Sequence, residues 1–255
     1  MSGGHAHGLY VHSESPIHKL PAQCKLVGAV LFILTIVVTP RESLWAYGVY
    51  ALIAGGVASA AGVSLWFIVK RLVVEIPFVV FALFLPFMGE GKETMFLALS
   101  MSVDGLWAAW NILIKATLGF STTIILAATT EVAELLRGLD RLHAPRAIMA
   151  IAGFMVRYAD VITGEMSRMR VARESRAYDP RWFWQARAVA ASAGSLFIRS
   201  FERGERVHLA MLSRGFSGSF PRAAEGAATR AQWAMALAPS ALGAVVAVVA
   251  WGVSV

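Results

Sequence analysis

The sequence predicts an all-α membrane protein with about five transmembrane helices and a cytoplasmic domain of long amphipathic helices. Three observations support this prediction. Of the 255 residues, 57% are hydrophobic and only 15% are charged, and the mean hydropathy is +0.62, unlike a soluble domain. Five apolar runs approach the length that spans a bilayer. Between the fourth and fifth runs, continuous apolar sequence changes to a helical repeat of apolar and basic residues.

The five apolar runs are the predicted transmembrane helices. They cover about 26–39, 44–62, 72–88, 106–128 and 231–255. Pro40 ends the first run, and Pro77 and Pro86 in the third predict kinks or a broken helix that neighbouring helices accommodate. The predicted regions are a cytoplasmic N-terminal segment (1–25), transmembrane helices one to four (26–130), a cytoplasmic domain (131–230) and a C-terminal transmembrane helix (231–255).

The distribution of basic residues predicts the orientation. Sixteen of the 23 lysines and arginines lie between Arg137 and Arg230. Because lysine and arginine are retained on the cytoplasmic side, that segment and the N-terminus are predicted to be cytoplasmic, and the C-terminus external. The net charge of +7 then reflects topology, with some affinity for anionic membrane lipid. No nucleic-acid-binding motif accompanies it, so no nucleic-acid partner is expected.

Three helices are predicted in the cytoplasmic domain. The first begins near Glu131, with Thr129 or Thr130 as a possible cap, and ends near His143. The second covers about 146–175 and the third about 185–214. Their apolar stripes are interrupted by arginines, which is typical of amphipathic helices rather than membrane spans.

The two long helices end on similar tripeptides. Ser175-Arg176-Ala177 ends the second helix and Ser213-Arg214-Gly215 ends the third. An arginine in a last turn complements the helix dipole and caps carbonyl groups. Alternatively, a guanidinium at the exposed tip of a rigid helix is placed to enter a pocket on a partner. A single instance favours capping, but the recurrence of the pattern leaves both interpretations open.

Other polar residues are weaker candidates. Asn111 and Lys115 lie in the fourth run, where polar groups are costly and are either functional or tied to packing. Four histidines precede the first run, and imidazole binds divalent cobalt and nickel. No carboxylate or thiol is fixed beside them, so no metal site is predicted. These four residues are His5, His7, His12 and His18.

The sequence holds no recognisable catalytic constellation. Gly89-Glu90-Gly91-Lys92-Glu93 departs from a P-loop, because Pro86 replaces the first glycine and Glu93 the final Ser or Thr. The sequence also lacks paired membrane carboxylates, a histidine pair and a Ser/His arrangement. The single cysteine, Cys24, excludes an intrachain disulfide. These observations predict that the chain is not an enzyme.

Two sets of motifs carry a resemblance to a known family. Ser15-Pro16-Ile17-His18-Lys19-Leu20-Pro21, followed by Lys25-Leu26, is similar to that family's N-terminal pattern, and the two arginine tripeptides are similar to its Ala-Arg-Gly motifs. The chain resembles the transmembrane T component of energy-coupling factor transporters, and within it the CbiQ-like subunit of cobalt and nickel importers. Serine replaces alanine in both tripeptides, and Ala177 replaces glycine. Ala172-Arg173-Glu174 is an alternative register, but a helix-breaking turn follows Arg176.

The resemblance implies a coupling role for the two long helices. Arg176 and Arg214 would each dock into one of two ABC-type ATPase subunits, whose motion passes to a CbiM-like substrate-binding membrane subunit, possibly with a small accessory membrane subunit. The chain would bind no cofactor, since ATP and magnesium belong to the ATPases and cobalt or nickel is the transported ion. The function implied is cobalt import across the bacterial inner membrane for cobalamin biosynthesis. The alternatives are a nickel or vitamin importer, or a membrane-anchored scaffold.

Overall fold

The computed structural model describes residues 15–88, 93–96, 99–178, 186–218 and 228–254. These residues form nine α-helices and one short hairpin, so the prediction of an all-α protein is confirmed. The helices are α1 (Ala22–Val38), α2 (Leu44–Ala60), α3 (Leu65–Arg71), α4 (Ile76–Met88), α5 (Val103–Thr129), α6 (Val132–Arg141), α7 (Arg146–Glu174), α8 (Ala186–Leu212) and α9 (Arg230–Ser254). The hairpin pairs β1 (Glu93–Phe96) with β2 (Leu99–Ser102) in antiparallel register, with Glu93 opposite Ser102.

The third apolar run is a broken helix, which is one of the two forms that its prolines predict. A 3-10 turn, Leu72–Glu75, separates α3 from α4. Pro77 has no N–H group for an α-helical bond to the Val73 carbonyl, and the N–H of Ile76 donates to that carbonyl instead. The break therefore comes before Pro77, whereas Pro86 lies inside α4. The other runs match their predicted helices to within a few residues.

Three helices of the described chain are long and apolar enough to cross a membrane: α5, α7 and residues 230–253 of α9. Helices α1 and α2 are apolar but shorter, with 17 residues each. Helix α7 meets this criterion although the sequence places it in the cytoplasmic domain. None of its residues is buried, and Ile151 and Met155 are 61% and 68% exposed. The membrane boundaries and the cytoplasmic placement of 131–230 stay predictions.

The described residues divide into two compact units within α6, between Gly138 and Leu139. We name the first the bundle unit, which comprises 15–138 and 228–254, and the second the helical-pair unit, which comprises 139–178 and 186–218. The bundle unit packs α1, α2, α5 and α9 around a core whose largest side chains include Phe32, Tyr47 and Tyr50. Phe32 meets the edge of Tyr50, with ring centroids 5.9 Å apart. The helical-pair unit joins α7 to α8.

Helices α1 and α9 approach closely at two glycines. A Cβ atom added to Gly28 would collide with the backbone carbonyl of Ala236. A Cβ atom at Gly243 would lie 2.8 Å from Thr35 Oγ1 and 3.3 Å from the Phe32 ring. Small residues at such positions let helix backbones approach in a membrane, where van der Waals packing favours association. The contact of α1 with α9 therefore depends on the absence of a side chain at Gly28.

We predict that Gly28→Ala destabilises the bundle unit by about 1–3 kcal/mol, because the added methyl group meets backbone that cannot move aside cheaply. Gly48→Ala is the matched control, since Gly48 is exposed on α2 and nothing lies within 4 Å of its added Cβ. Thermal unfolding in detergent measures both. A Gly28→Ala midpoint equal to that of Gly48→Ala would contradict the close approach.

Candidate functional site

The end of α7 is closed by a compact backbone turn. The N–H of Ser175 donates to Val171 O at 2.9 Å, and those of Arg176 and Ala177 donate three residues back, at 3.0 and 2.9 Å. The N–H of Tyr178 then reaches back five residues to Arg173 O at 3.1 Å. This combination of bonds is a Schellman motif, which provides donors for the last carbonyl groups of a helix.

The end of α8 repeats the α7 turn bond for bond. Ser213 donates four residues back to Leu209 O, and Arg214 and Gly215 donate three residues back, all at 3.0 Å. The N–H of Phe216 donates to Met211 O, five residues back, at 3.0 Å. Arg176 and Arg214 therefore occupy the same position of the same local structure. The repetition seen in the sequence is also a repetition in backbone geometry.

The two serines of the tripeptides also adopt the same arrangement. The Ser175 hydroxyl donates to Ala172 O at 3.1 Å, and the Ser213 hydroxyl donates to Ala210 O at 2.9 Å. Each hydroxyl is thus folded onto its own helix. Arg176 and Arg214 are both exposed. Because backbone N–H groups already bond the last carbonyls, capping does not require either guanidinium.

The residue after each arginine has a left-handed backbone. Ala177 has φ of +57° and Gly215 has φ of +80°. Glycine adopts this conformation without steric cost, whereas alanine brings its Cβ close to the backbone at a cost of about 1 kcal/mol. Arg173, the alternative register, lies inside α7 and is partly buried. The turn geometry thus favours the register that is centred on Arg176.

The two polar candidates of α5 lie at the C-terminal end of α1. Lys115 Nζ donates to Val37 O at 2.8 Å, and Asn111 Oδ1 accepts from the Tyr47 hydroxyl at 3.4 Å. Tyr47 also lies within 3.2 Å of the carbonyl oxygens of Thr39 and Pro40. These contacts give Lys115 and Asn111 a structural setting. Their candidate functional role stays a prediction.

Lys25 joins three segments of the bundle unit, a role that its sequence position did not reveal. It is buried, and its Nζ donates to His18 O at 3.1 Å, Thr129 O at 2.8 Å and Thr130 Oγ1 at 3.2 Å. Thr129 is the last helical residue of α5 and Thr130 is its C-cap, so neither begins α6. The predicted cap at α6 is therefore wrong at Thr129 and Thr130, and Glu131 precedes the first helical residue.

Glu75 is a second buried charge, and it lies four residues after Arg71, a spacing that predicts a local ion pair near the membrane interface. Its carboxylate is only 6% exposed and accepts a hydrogen bond of 2.6 Å from Thr117 Oγ1. The Thr117 hydroxyl is also 2.8 Å from Leu113 O, within its own helix. For Glu75 the sequence indicated only the local pair with Arg71. Its threonine partner lies too far along the chain to be predicted from spacing.

In the helical-pair unit, Glu165 of α7 and Arg203 of α8 form an ion pair. The hydrogen bond from Arg203 holds the pKa of the Glu165 carboxyl below its usual range, and the charges of Arg168 and Arg199 act in the same direction. The Glu165 and Arg203 side chains are 13% and 31% exposed, respectively. The pair therefore ties the two long helices together at a partly buried position.

Some predicted features cannot be placed. His5, His7, His12 and residues 89–92 lie outside the described residues. Among the residues that the structure does describe, no group of three or more histidine, cysteine or acidic side chains could hold a metal ion. His18 is described, and its Nδ1 is 2.8 Å from Ser15 Oγ. The N-terminal pattern thus forms a turn whose His18 carbonyl is bound by Lys25.

Comparison with known proteins identifies one matching family. The family described as CbiQ, cobalt transport protein, matches residues 13–224. An uncharacterized protein of Methanocaldococcus jannaschii is 27% identical over 83% of this chain and 72% of its own length. The energy-coupling factor transporter transmembrane protein EcfT of Bacillus selenitireducens is 24% identical, with 83% of each chain covered. A putative fused cobalt transport protein CbiMQ of Methanocorpusculum labreanum is 26% identical over 46% of this chain and 20% of that protein.

We predict that Ala177→Gly stabilises the end of α7 by about 1 kcal/mol, because glycine removes the steric cost at φ of +57°. Gly215→Ala is the reciprocal change and should destabilise the end of α8 by a similar amount. No atom lies within 4 Å of an added Cβ at Gly215, so the effect there comes from the backbone alone. Thermal unfolding measures the change in stability of each variant. A change of the same sign in both variants would contradict the matched turns.

The Glu165–Arg203 pair predicts a pH dependence of the helical-pair unit. Since the folded pKa of Glu165 is lowered, its stabilising effect is complete above the ordinary glutamate pKa of about 4.3 and is lost as pH falls through the lowered value. Glu165→Gln should reduce this loss of stability at acidic pH. Glu202→Gln, an exposed change on α8, is the control. Thermal unfolding across pH measures the difference, and identical profiles for the two variants would contradict the prediction.

Proposed function

The chain belongs to the CbiQ family of cobalt transport proteins, the T components of energy-coupling factor transporters, and we propose that it couples ATPase motion to cobalt import. In this proposal it is a non-enzymatic membrane subunit. Two cassette ATPases bind its long helices α7 and α8, and a CbiM-like membrane subunit binds the metal. The chain transmits the movement of the ATPases to the CbiM-like subunit.

The observation that carries the proposal is the identity of the two helix ends. Arg176 and Arg214 have the same pattern of backbone hydrogen bonds, each precedes a residue with a left-handed backbone, and both are exposed. Two guanidinium groups in equivalent positions at rigid helix ends suit two equivalent binding pockets, as a pair of related ATPase subunits would offer. A membrane-anchored scaffold has no such requirement for a matched pair.

Uncovered apolar side chains on α7 and α8 also support a protein partner. Ile151, Met155, Phe197 and Phe201 are 61%, 68%, 71% and 67% exposed. Apolar area of this kind contributes about 25 cal/mol per Å² when it is removed from water, so its burial favours association. An ATPase surface that accepts the arginine tips would cover part of it. The tips would then set the register of a contact that apolar burial stabilises.

The metal is proposed to bind outside this chain. No cluster of metal-binding side chains occurs in the residues that the structure describes, and Lys25, Lys115 and Glu75 are bonded to protein atoms. The relative named CbiMQ is a fused protein, which supports a CbiM-like partner for a CbiQ-like chain. Cobalt is favoured over nickel because the family model is described as cobalt transport.

The test is charge reversal at the two tips. We predict that Arg176→Glu and Arg214→Glu each weaken assembly with the co-expressed ATPases, and that the double variant abolishes assembly and uptake of radioactive cobalt. Loss of a buried charge-assisted contact costs about 2–5 kcal/mol, enough to reduce affinity at least thirtyfold by order of magnitude. Co-purification measures assembly, and membrane vesicles loaded with ATP measure uptake.

Arg206→Glu is the matched control, because Arg206 is exposed on α8 away from its end. It should leave assembly and uptake unchanged. If the double variant assembles and imports cobalt like the original chain, the proposed role of the tips is wrong. If it loses only affinity for anionic vesicles, the scaffold function replaces it. Uptake of nickel in place of cobalt would show that the proposed metal is wrong, but it would leave the coupling role intact.

A further inference from the structure

The helical-pair unit has an open polar cavity between α7 and α8, whose lining includes Arg176, one of the two proposed coupling residues. Its volume is about 610 Å³, and it is lined by Arg168 and Arg173 of α7 and by Arg176, which follows that helix. Helix α8 contributes Arg199 and Ser195. Arg168, Arg176 and Arg199 are exposed, so the cavity is accessible to a ligand from solution.

The charge of the lining is strongly unbalanced. Four arginines face one carboxylate, that of Glu165, which is already bonded to Arg203. The positive charges of neighbouring arginines repel one another. An anion in the cavity would relieve this repulsion. Helix packing alone does not require four arginines on facing sides of one cavity.

Buried polar atoms without protein partners mark the same place. Nε and Nη1 of Arg173 and Nη1 of Arg203 are buried and form no hydrogen bond to any residue that the structure describes. Ser200 Oγ and Glu165 Oε2 are also buried and form no hydrogen bond to a described residue. Of these residues, Arg173 and Glu165 line the cavity, and Arg203 is bonded to Glu165. An unsatisfied buried donor costs about 1–3 kcal/mol, so a ligand that accepts hydrogen bonds here is stabilised.

We propose that this cavity binds a phosphate group. A phosphate group carries at least one full negative charge, and its tetrahedral oxygens point in different directions, so it can accept bonds from guanidinium groups on two helices at once. The Arg173 donors, the Ser195 hydroxyl and the exposed forks of Arg168 and Arg199 supply such donors from two helices. The phosphate comes either from the headgroup of an anionic lipid or from a free phosphate ion.

The experiment uses the full chain in a phosphate-free maltoside buffer. Equilibrium dialysis with radioactive inorganic phosphate measures binding, and soluble short-chain phosphatidylglycerol is added as a competitor. We expect saturable binding of phosphate. Displacement by phosphatidylglycerol identifies a lipid headgroup as the source, and retention of phosphate identifies the free ion. Both outcomes support the site, whereas a chain that binds neither probe overturns it.

Two variants link binding to the cavity. Arg173→Gln and Arg199→Gln should each weaken binding about tenfold or more, since each removes a charge-assisted hydrogen bond. Arg206→Gln removes the same charge from the same unit outside the cavity and should leave binding unchanged. Arg199 is exposed, so its replacement preserves the fold, and circular dichroism verifies this. Equal losses in all three variants, or none in the two cavity variants, would show that the cavity is not the site.

Discussion

The carbonyl groups at the C-terminal end of a helix need hydrogen-bond donors, and most of this structure follows from how that need is satisfied. The last four carbonyls of an α-helix lack partners within it, and in lipid no water replaces them. In the bundle unit the donors for the ends of α1 and α5 come from distant side chains, whereas α2 ends in a local turn at Gly62. Lys25 donates to the end of α5, while Lys115 and Trp251 donate to Val37 O and Val38 O at the end of α1. A charge in an apolar setting thus becomes part of the packing.

The helical-pair unit satisfies the same need locally. The chain turns at Ala177 and at Gly215, so backbone N–H groups bond the last carbonyls of α7 and α8. Side chains are then released from capping. The difference from the ends of α1 and α5 has a functional consequence, because Lys115 is engaged at the end of α1 whereas Arg176 and Arg214 are exposed and available to contact a partner. The local turn is therefore the structural condition for the proposed coupling contact.

What could be predicted from sequence follows the range of the interactions. The ends of α7 and α8 were predicted closely, because glycine, proline and a tripeptide pattern act within a few residues. The break before Pro77 was not predicted in detail, since it depends on which N–H group replaces the missing donor to Val73. The partners of Lys25 and Glu75 could not be predicted, because Thr129 and Thr117 lie far away in sequence. Local chemistry thus predicted the candidate site better than the interior of the bundle.

The departures of the two tripeptides from the family pattern have unequal consequences. Serine in place of alanine at 175 and 213 adds a hydroxyl, but each hydroxyl bonds to its own helix, so no polar group is left unpaired. The serine side chain beside each arginine therefore lies against its own helix. Alanine in place of glycine at 177 is different, because the residue must adopt a left-handed backbone at a cost of about 1 kcal/mol. The turn nevertheless forms with every bond of its counterpart, so the cost is local and Arg176 keeps the position that Arg214 has.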